Sequence, residues 1–355
     1  MITGNKGEWS ELYVLLYLLG MQKLYAADDK LLKIENAYFP IQKIFRADKD
    51  SKVDYVITPD THVDVYANNT LITSLNSEVF LSNAKYLYDE IIKGGDRAFT
   101  IDRIEKFMTY IHTHRLAAPS SDKTDISMQV YDIHTGYNPI LGFSIKSELG
   151  GAPTLLNASG ATNFVYEVNG ISEDKIEYIN AISTRTKILD RVQYIYDNGG
   201  TITYRGTANK TFAMNLMLID SRMEEIIAAM LLYSYRTNTM DCNRLLKHLD
   251  AENPLNFPRK GFYSYKYMKL LSAIALGMNP SRLWDGLDDA NGGYIVVKAD
   301  GDVLAYHLYN RNFFEKYLLD NTRLERGSTT KHGYATLYKE NGRIYIKLNL
   351  QIRFK

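Results

Sequence analysis

The residues best suited to chemistry are an acid and a lysine inside KTDISMQVYDIHTGYNPILGFSIKSEL, Lys123 to Leu149. Thr124 to Ile133 alternates: Ile126, Met128 and Val130 share one face, and Asp125, Ser127, Gln129 and Tyr131 the other. His134 to Pro139 supplies the turn, with Gly136, Asn138 and Pro139 as breakers. Ile140 to Ser147 returns with Leu141, Phe143 and Ile145 on one face and Gly142, Ser144 and Lys146 on the other. Folding about Gly136 brings Asp125 level with Lys146. Asp132 falls near the turn, roughly 15–20 Å from Lys146 at ~3.3 Å per residue. A divalent cation takes hard oxygen ligands, and Asp125 offers one. A lysine beside it can hold or deprotonate an attacking water while the metal polarises a phosphoryl oxygen. The pair therefore has the form of a metal-dependent nuclease centre. On an arbitrary hairpin the same two residues would be a solvated acid and a solvated lysine.

The surrounding residues favour the first reading. The stretch resembles the PD-(D/E)xK nuclease core, with Asp125 in the place of its aspartate and Ser144-Ile145-Lys146 in the place of acid-any-lysine. Three blocks resemble type II restriction endonucleases of the HpaII type: NKGEWSELY, Asn5 to Tyr13; GFSIKSELGGAPTLLNASGATNF, Gly142 to Phe164; and KLNLQIRF, Lys347 to Phe354. They lie at the start, middle and end, so the resemblance covers the whole chain. The departure is Ser144, a poor metal ligand where the motif has its second acid. Glu148 follows Lys146 by two positions, and Glu8 and Glu11 stand on the first helix. The resemblance implies that a helix acid completes the metal site; it leaves the choice between Glu8 and Glu11 open. It also implies the Ile145 carbonyl as a further ligand and Mg2+ as the cofactor.

Composition bounds the alternatives. A chain of 355 residues can bury one large core or two modest ones. No apolar run is long enough for a membrane span, and the opening MITGNKGEWSE lacks the apolar core of a signal peptide. The single cysteine, Cys242, excludes an intrachain disulfide and a multi-cysteine zinc site. These features lead us to expect a bacterial cytoplasmic protein. The seven histidines lack metal-ligand spacing, and no Ser-His-Asp arrangement or P-loop is present. The net charge of +1 is silent on nucleic acid, but the end is locally basic. From Arg311 onward ten basic residues face four acids, compatible with a phosphate-facing surface.

The elements that must position the pair follow from periodicity. Asn5 to Leu19 reads as a helix with Asn5 as N-cap and Glu8 at capping-box spacing. Leu12, Leu15, Leu16 and Leu19 form its apolar face, with Glu8 projecting toward it and Glu11 on its edge. Residues 23–80 read as a β-rich insertion, ending in EVFL. Asn83 to Lys93 and Ile101 to Arg115 read as helices. Gly150 to Ala161 is rich in small residues that permit close approach to a phosphate. Asn157, Ser159, Thr162 and Asn163 could contact phosphate or base edges. Met214 to Tyr235 reads as one long core helix. Asn291 to Leu308 reads as a hairpin, and so does the end of the chain, turned at Asn341-Gly342. In its last strand Lys347, Asn349, Gln351 and Arg353 share a face, so Gln351 and Arg353 could read bases.

The expected architecture is mixed α/β (α+β): a restriction-endonuclease-like core with a central mixed sheet flanked by helices. We expect one nuclease domain over 1–355, with 1–20 the first core helix, 116–168 the catalytic core and 170–355 a helical and β-hairpin region for DNA recognition. The resemblance implies a type II enzyme that hydrolyses double-stranded DNA at a short site, CCGG, leaving 5′-phosphates. A methyltransferase of the same specificity would protect host DNA, and a palindromic site favours a homodimer. The rivals are an inactive DNA-binding protein on the same fold, motivated by Ser144, and a structure-specific repair nuclease.

Overall fold

The computed structural model describes residues 1–47, 52–95, 97–118, 124–133, 135–307 and 310–355. His134, residues 119–123 and Leu308 of the segments read above lie outside the described residues. In chain order the elements begin with α1 (Lys6–Met21), β1 (Lys23–Ala27), β2 (Lys33–Ala47), β3 (Lys52–Ile57), β4 (His62–Ala67), β5 (Thr70–Asn76), α2 (Ser77–Lys93), α3 (Asp102–Tyr110), β6 (Ile126–Val130) and β7 (Ile140–Ser147). They continue with β8 (Thr154–Leu156), β9 (Asn163–Asn169), α4 (Lys175–Ala181), α5 (Lys187–Asp197), β10 (Thr201–Thr207), α6 (Lys210–Ile219), α7 (Met223–Thr237), α8 (Cys242–Glu252) and α9 (Phe262–Leu276). The last are β11 (Gly293–Val297), β12 (Val303–His307), α10 (Arg311–Asn321), β13 (Thr322–Leu324), α11 (Thr329–His332), β14 (Leu337–Glu340), β15 (Arg343–Asn349) and β16 (Ile352–Phe354). No helix among the described residues is long and apolar enough to cross a membrane. The chain divides into two compact units, Met1–Pro153 with Asp288–Tyr317, and Thr154–Leu287 with Leu318–Lys355. The expectation of one domain over 1–355 thus meets a chain whose two units each interleave distant segments.

The first unit is built on a nine-stranded mixed sheet in the order β1-β12-β11-β7-β6-β2-β3-β4-β5. Strand β1 also pairs with β2, so six strands close a circuit. Strand β2 makes this possible because it is long and serves two neighbours in succession. Its first part, through Pro40, pairs with β1; Ile41 onward pairs with β6 and β3. Proline has no N–H to give a ladder, and the register shifts just beyond it, between Ile41 and Lys43, where a bulged strand bends. The strands read above as an insertion, β1 to β5, are therefore strands of the catalytic hairpin's own sheet. The parallel pairs are β1–β12 and β7–β11; the other pairings within the circuit are antiparallel.

Helix α1 covers one face of this sheet. Asn5 accepts the Glu8 amide, and Glu8 accepts the Asn5 amide, a complete capping box. Trp9, Leu12, Leu15, Leu16 and Leu19 are fully buried against Phe143, Ile126, Ile295 and the helix α2 residues Phe80 and Leu87. Each such side chain contributes about 1.5–3 kcal/mol on burial. The helix ends at Met21, followed by Gln22 as its cap in a left-handed conformation. EVFL opens helix α2 instead of ending a strand, because Asn76 caps the Glu78 amide and starts it. Helix α3 is shorter than expected, Asp102–Tyr110.

In the second unit a four-stranded sheet, β10-β9-β15-β14, and a three-stranded sheet, β13-β16-β8, accompany the helices. Helix α7 is central, with Met223, Ile226, Ile227, Met230, Leu231 and Tyr235 buried. The expected single helix from Met214 to Tyr235 is two, α6 and α7. Asp220 breaks it, its carboxylate taking the Arg222 amide and its carbonyl the Met223 amide. The last strand is also two. β15 and β16 belong to different sheets, although burial alternates through Ile344, Ile346, Leu348, Leu350, Ile352 and Phe354. The Asn341-Gly342 turn is as expected, both residues at positive φ, 50° and 75°.

The junction between β7 and β11 is tight. A Cβ at Gly292 would lie 2.6 Å from the buried Phe143 ring. Gly292→Ala is expected to destabilise the protein by about 1–3 kcal/mol, read as a lowered urea midpoint at unchanged slope.

Candidate active site

Strands β6 and β7 pair Ile126 with Phe143 and Ser127 with Gly142. Continuing that register sets Asp125 opposite Ser144, and the Asp125 amide donates to the Phe143 carbonyl at 2.9 Å. The expectation that Asp125 stands level with Lys146 is thus off by two residues. The connection is not folded symmetrically about Gly136. Asp132 forms a turn of its own, accepting the Gly136 amide on its carbonyl and the Thr135 hydroxyl on its carboxylate. That carboxylate is buried at 2% exposure and spent on the turn.

The two-residue offset inserts Ser144 between the acid and the lysine. The Ser144 hydroxyl donates to Asp125 Oδ2 at 3.1 Å and accepts from Lys146 Nζ at 3.0 Å. Asp125 Oδ2 also accepts the Ile145 amide at 2.6 Å, and Lys146 Nζ donates to the Ile145 carbonyl at 3.0 Å. Asp125 and Lys146 therefore lie on the same side of their sheet, joined through one hydroxyl. Parallel pairing with β11 places Tyr294 beside Ser144, with its ring 5.3 Å from Lys146 Nζ. Burial, and then the Asp125 charge, raise the Tyr294 hydroxyl far above its ordinary range.

Glu11 faces this group from α1. Its Oε2 accepts the Ala118 amide at 2.9 Å. Burial, and next the Asp125 charge, push its pKa from 4.5 to about 8; the Ala118 amide, Arg46 and Lys146 pull the other way. For Glu11, burial and the repulsion from Asp125 thus outweigh the two nearby cations. Glu8 goes elsewhere: it is half-buried and closes the capping box, so its expected projection toward the apolar face is corrected. Glu148 is exposed and accepts the Ala299 amide at 3.1 Å. Of the three glutamates, Glu11 is the one whose electrostatics couple it to Asp125. Ser144 as a bridge and Tyr294 were not foreseen. Nothing in the sequence pairs β11 with β7, so Tyr294 carried no signal.

Among the described residues no group of three or more His, Cys, Asp or Glu could hold a metal ion. What is present is two carboxylates and the Ile145 carbonyl. This fits a divalent cation of the magnesium type, which binds through one or two carboxylates and otherwise keeps water and substrate phosphate.

The residues expected to contact DNA divide. Asn157 is exposed and Ser159 half-buried. Thr162 and Asn163 are buried, at 0% and 4%, and their expected DNA contacts are corrected. The Asn349 amide nitrogen donates to both, and Asn163 donates to the His332 carbonyl. Gln351 and Arg353 are half-buried, and Gln351 Oε1 is buried without a partner. The basic end is largely neutralised: Arg311, Lys316, Arg323, Lys339, Arg343 and Lys355 each form an ion pair with a carboxylate.

Residues 5–354 match the model of the HpaII restriction endonuclease family. The chain is 38% identical over 356 residues to the type II restriction enzyme HpaII of Haemophilus parainfluenzae, covering 99% of this chain and 98% of that protein. No solved structure matches it. With the family model spanning nearly every residue and the relative aligned end to end, this chain belongs to the HpaII restriction endonuclease family.

Proposed function

We propose that Asp125, Glu11 and Lys146 form the hydrolytic centre of this type II restriction endonuclease, on a PD-(D/E)xK core, and that it cleaves CCGG with Mg2+. The observation that carries the site is the Ser144 hydroxyl, bonded at once to the aspartate and the lysine. Asp125, Glu11 and the Ile145 carbonyl would hold Mg2+, which when bound supplies Lewis-acid polarisation of the scissile phosphate. Lys146 spends two of its donors on Ser144 and Ile145, leaving a third for the attacking water or a phosphate oxygen. Fixed in this way, it orients the water in line with the leaving 3′-oxygen. The water oxygen bonds to phosphorus as the P–O3′ bond breaks; the water gives up a proton to solvent and the 3′-oxygen takes one from solvent, giving a 5′-phosphate and a 3′-hydroxyl. Its charge also offsets the negative charge that grows on the phosphate oxygens. A methyltransferase marking the same site protects host DNA, and a palindromic site suits a homodimer.

Digestion of a sequenced plasmid with Mg2+, followed by sequencing of the ends, tests the reading. Cuts at every CCGG support it. Cuts at another fixed site would keep the centre and overturn CCGG; intact but retarded DNA would overturn hydrolysis. Lys146→Ala and Asp125→Ala should each slow cleavage by about 10²-fold or more while DNA binding persists. Asp132→Ala and Glu8→Ala should retain cleavage wherever they fold.

Glu11 gives a pH test without turnover. Its folded pKa of about 8 lies above the ordinary 4.5, so the folded protein holds a proton that the unfolded chain releases between those values. That contribution to stability is full below pH 4.5 and is lost as pH rises through about 8. In the metal-free protein, Glu11→Gln should raise Tm relative to wild type more at pH 9 than at pH 6. Added Mg2+ should raise the wild-type Tm more at pH 8.5 than at pH 6.5, and this increment should vanish in Glu11→Gln. An unchanged Mg2+ effect in the variant would remove Glu11 from the metal site.

A further inference from the structure

The second unit carries a cleft of about 320 Å³ formed by two polar loops far apart in sequence. Ser183-Thr184-Arg185-Thr186-Lys187 leads into α5, and Arg326-Gly327-Ser328-Thr329-Thr330 leads into α11. Arg185, Lys187 and Arg326 line it with Ser328, Thr329 and Thr330, and none of its lining residues is acidic. Most of the basic residues near the C-terminus are neutralised by carboxylates; among the described residues these three cations form no ion pair.

Arg326 is held for a purpose that its protein partners do not exhaust. Its guanidinium lies 5.1 Å from the Tyr235 ring centre, and one terminal N–H donates to the Ser234 carbonyl at 3.3 Å. Its Nε is buried with no partner. A buried donor left unpaired is unfavourable. The first turn of α5 opens on the same cleft without a side-chain cap, although the Asp190 carboxylate in that turn, which accepts from the Thr184 and Thr186 hydroxyls, offsets the positive end of the helix. Gly327 ties the cleft to the small-residue loop: a Cβ there would meet Ala158 Cβ at 2.8 Å and Gln351 Oε1 at 3.2 Å. The exposed Asn157 is the neighbour of Ala158 in that loop.

Guanidinium, ammonium, hydroxyl and uncapped backbone N–H groups are the donors that phosphate oxygens take. We propose that this cleft grips a backbone phosphate of the DNA duplex, with Arg185, Lys187 and Arg326 as binding residues. The inference rests on the DNA substrate implied by the family, and not on the roles given to Asp125 and Lys146.

The test is fluorescence anisotropy of the full chain with a labelled duplex in EDTA, over a range of NaCl concentrations. Arg185→Ala/Lys187→Ala alters an exposed and a half-buried side chain, so the fold should persist, with circular dichroism as the check. We expect binding weakened alike on CCGG and unrelated duplexes, and a log–log salt slope shallower by about 1 for each phosphate the variant no longer neutralises. Arg185→Lys/Lys187→Arg should restore most of the affinity. Unchanged affinity and slope in the double alanine variant would overturn the proposal. So would a wild-type protein that binds inorganic phosphate in the cleft while the variant binds DNA normally, since the cleft would then serve a free anion. If cleavage survives Lys146→Ala but the salt slope still falls here, the hydrolytic reading fails and this one stands.

Discussion

The centre depends on how two negative charges and one positive charge share a half-buried space. Asp125 gains the Ile145 amide and the Ser144 hydroxyl, Lys146 gains Ser144 and a carbonyl, and Glu11 accepts the Ala118 amide and feels the Arg46 and Lys146 charges. The imbalance falls on Glu11, whose carboxyl holds its proton up to about pH 8. That imbalance is what supports the cation site proposed above. Serine in place of the motif's second acid makes sense in these terms. A third carboxylate would add repulsion to a pair that already repels, whereas the hydroxyl both donates and accepts and so joins the acid to the lysine.

That arrangement relies on strands that are remote in the sequence. β7 lies between its hairpin partner β6 and the parallel strand β11, which is contributed by residues near 295. Without β11 the Ser144 row would be a sheet edge, and Lys146 would have no ring beside it. The circuit from β1 back to β2 further ties α1, and hence Glu11, to the sheet that carries Asp125. Closure of this kind leaves no free edge along those six strands. The three further strands β3, β4 and β5 extend the sheet from β2.

Charge in the second unit is arranged differently. Most cations near the C-terminus are paired, whereas Arg326 and the two cations opposite it line a cleft that has no acidic lining residue. A count of lysines and arginines could not distinguish a neutralised surface from a gathered one. The polar residues of the Gly150 to Ala161 loop and its sequel show the same division. Asn157 faces outward, while Thr162 and Asn163 support Asn349 inside the unit.

Local features were legible in the chain before it was folded. Alternation marked β6 and β7, Asn5 and Glu8 marked the start of α1, and Asn341-Gly342 marked the last hairpin, because each signal acts between residues a few positions apart. The residues also offered Asp125 and Lys146 as a candidate site, with Glu8, Glu11 or Glu148 as its further acid. Three things were settled in three dimensions alone. The hairpin register depended on a turn in which Asp132 bonds Thr135 and Gly136, so it shifted by two residues from the symmetric count. The division of labour between Glu8 and Glu11 depended on which side of α1 meets the sheet, one residue closing a cap and the other meeting Asp125. The place of Tyr294 depended on a parallel pairing between strands some 150 residues apart, as from Ser144 to Tyr294. Long-range pairing is set by total burial and hydrogen-bond satisfaction over the whole unit, and no short window of sequence contains that sum.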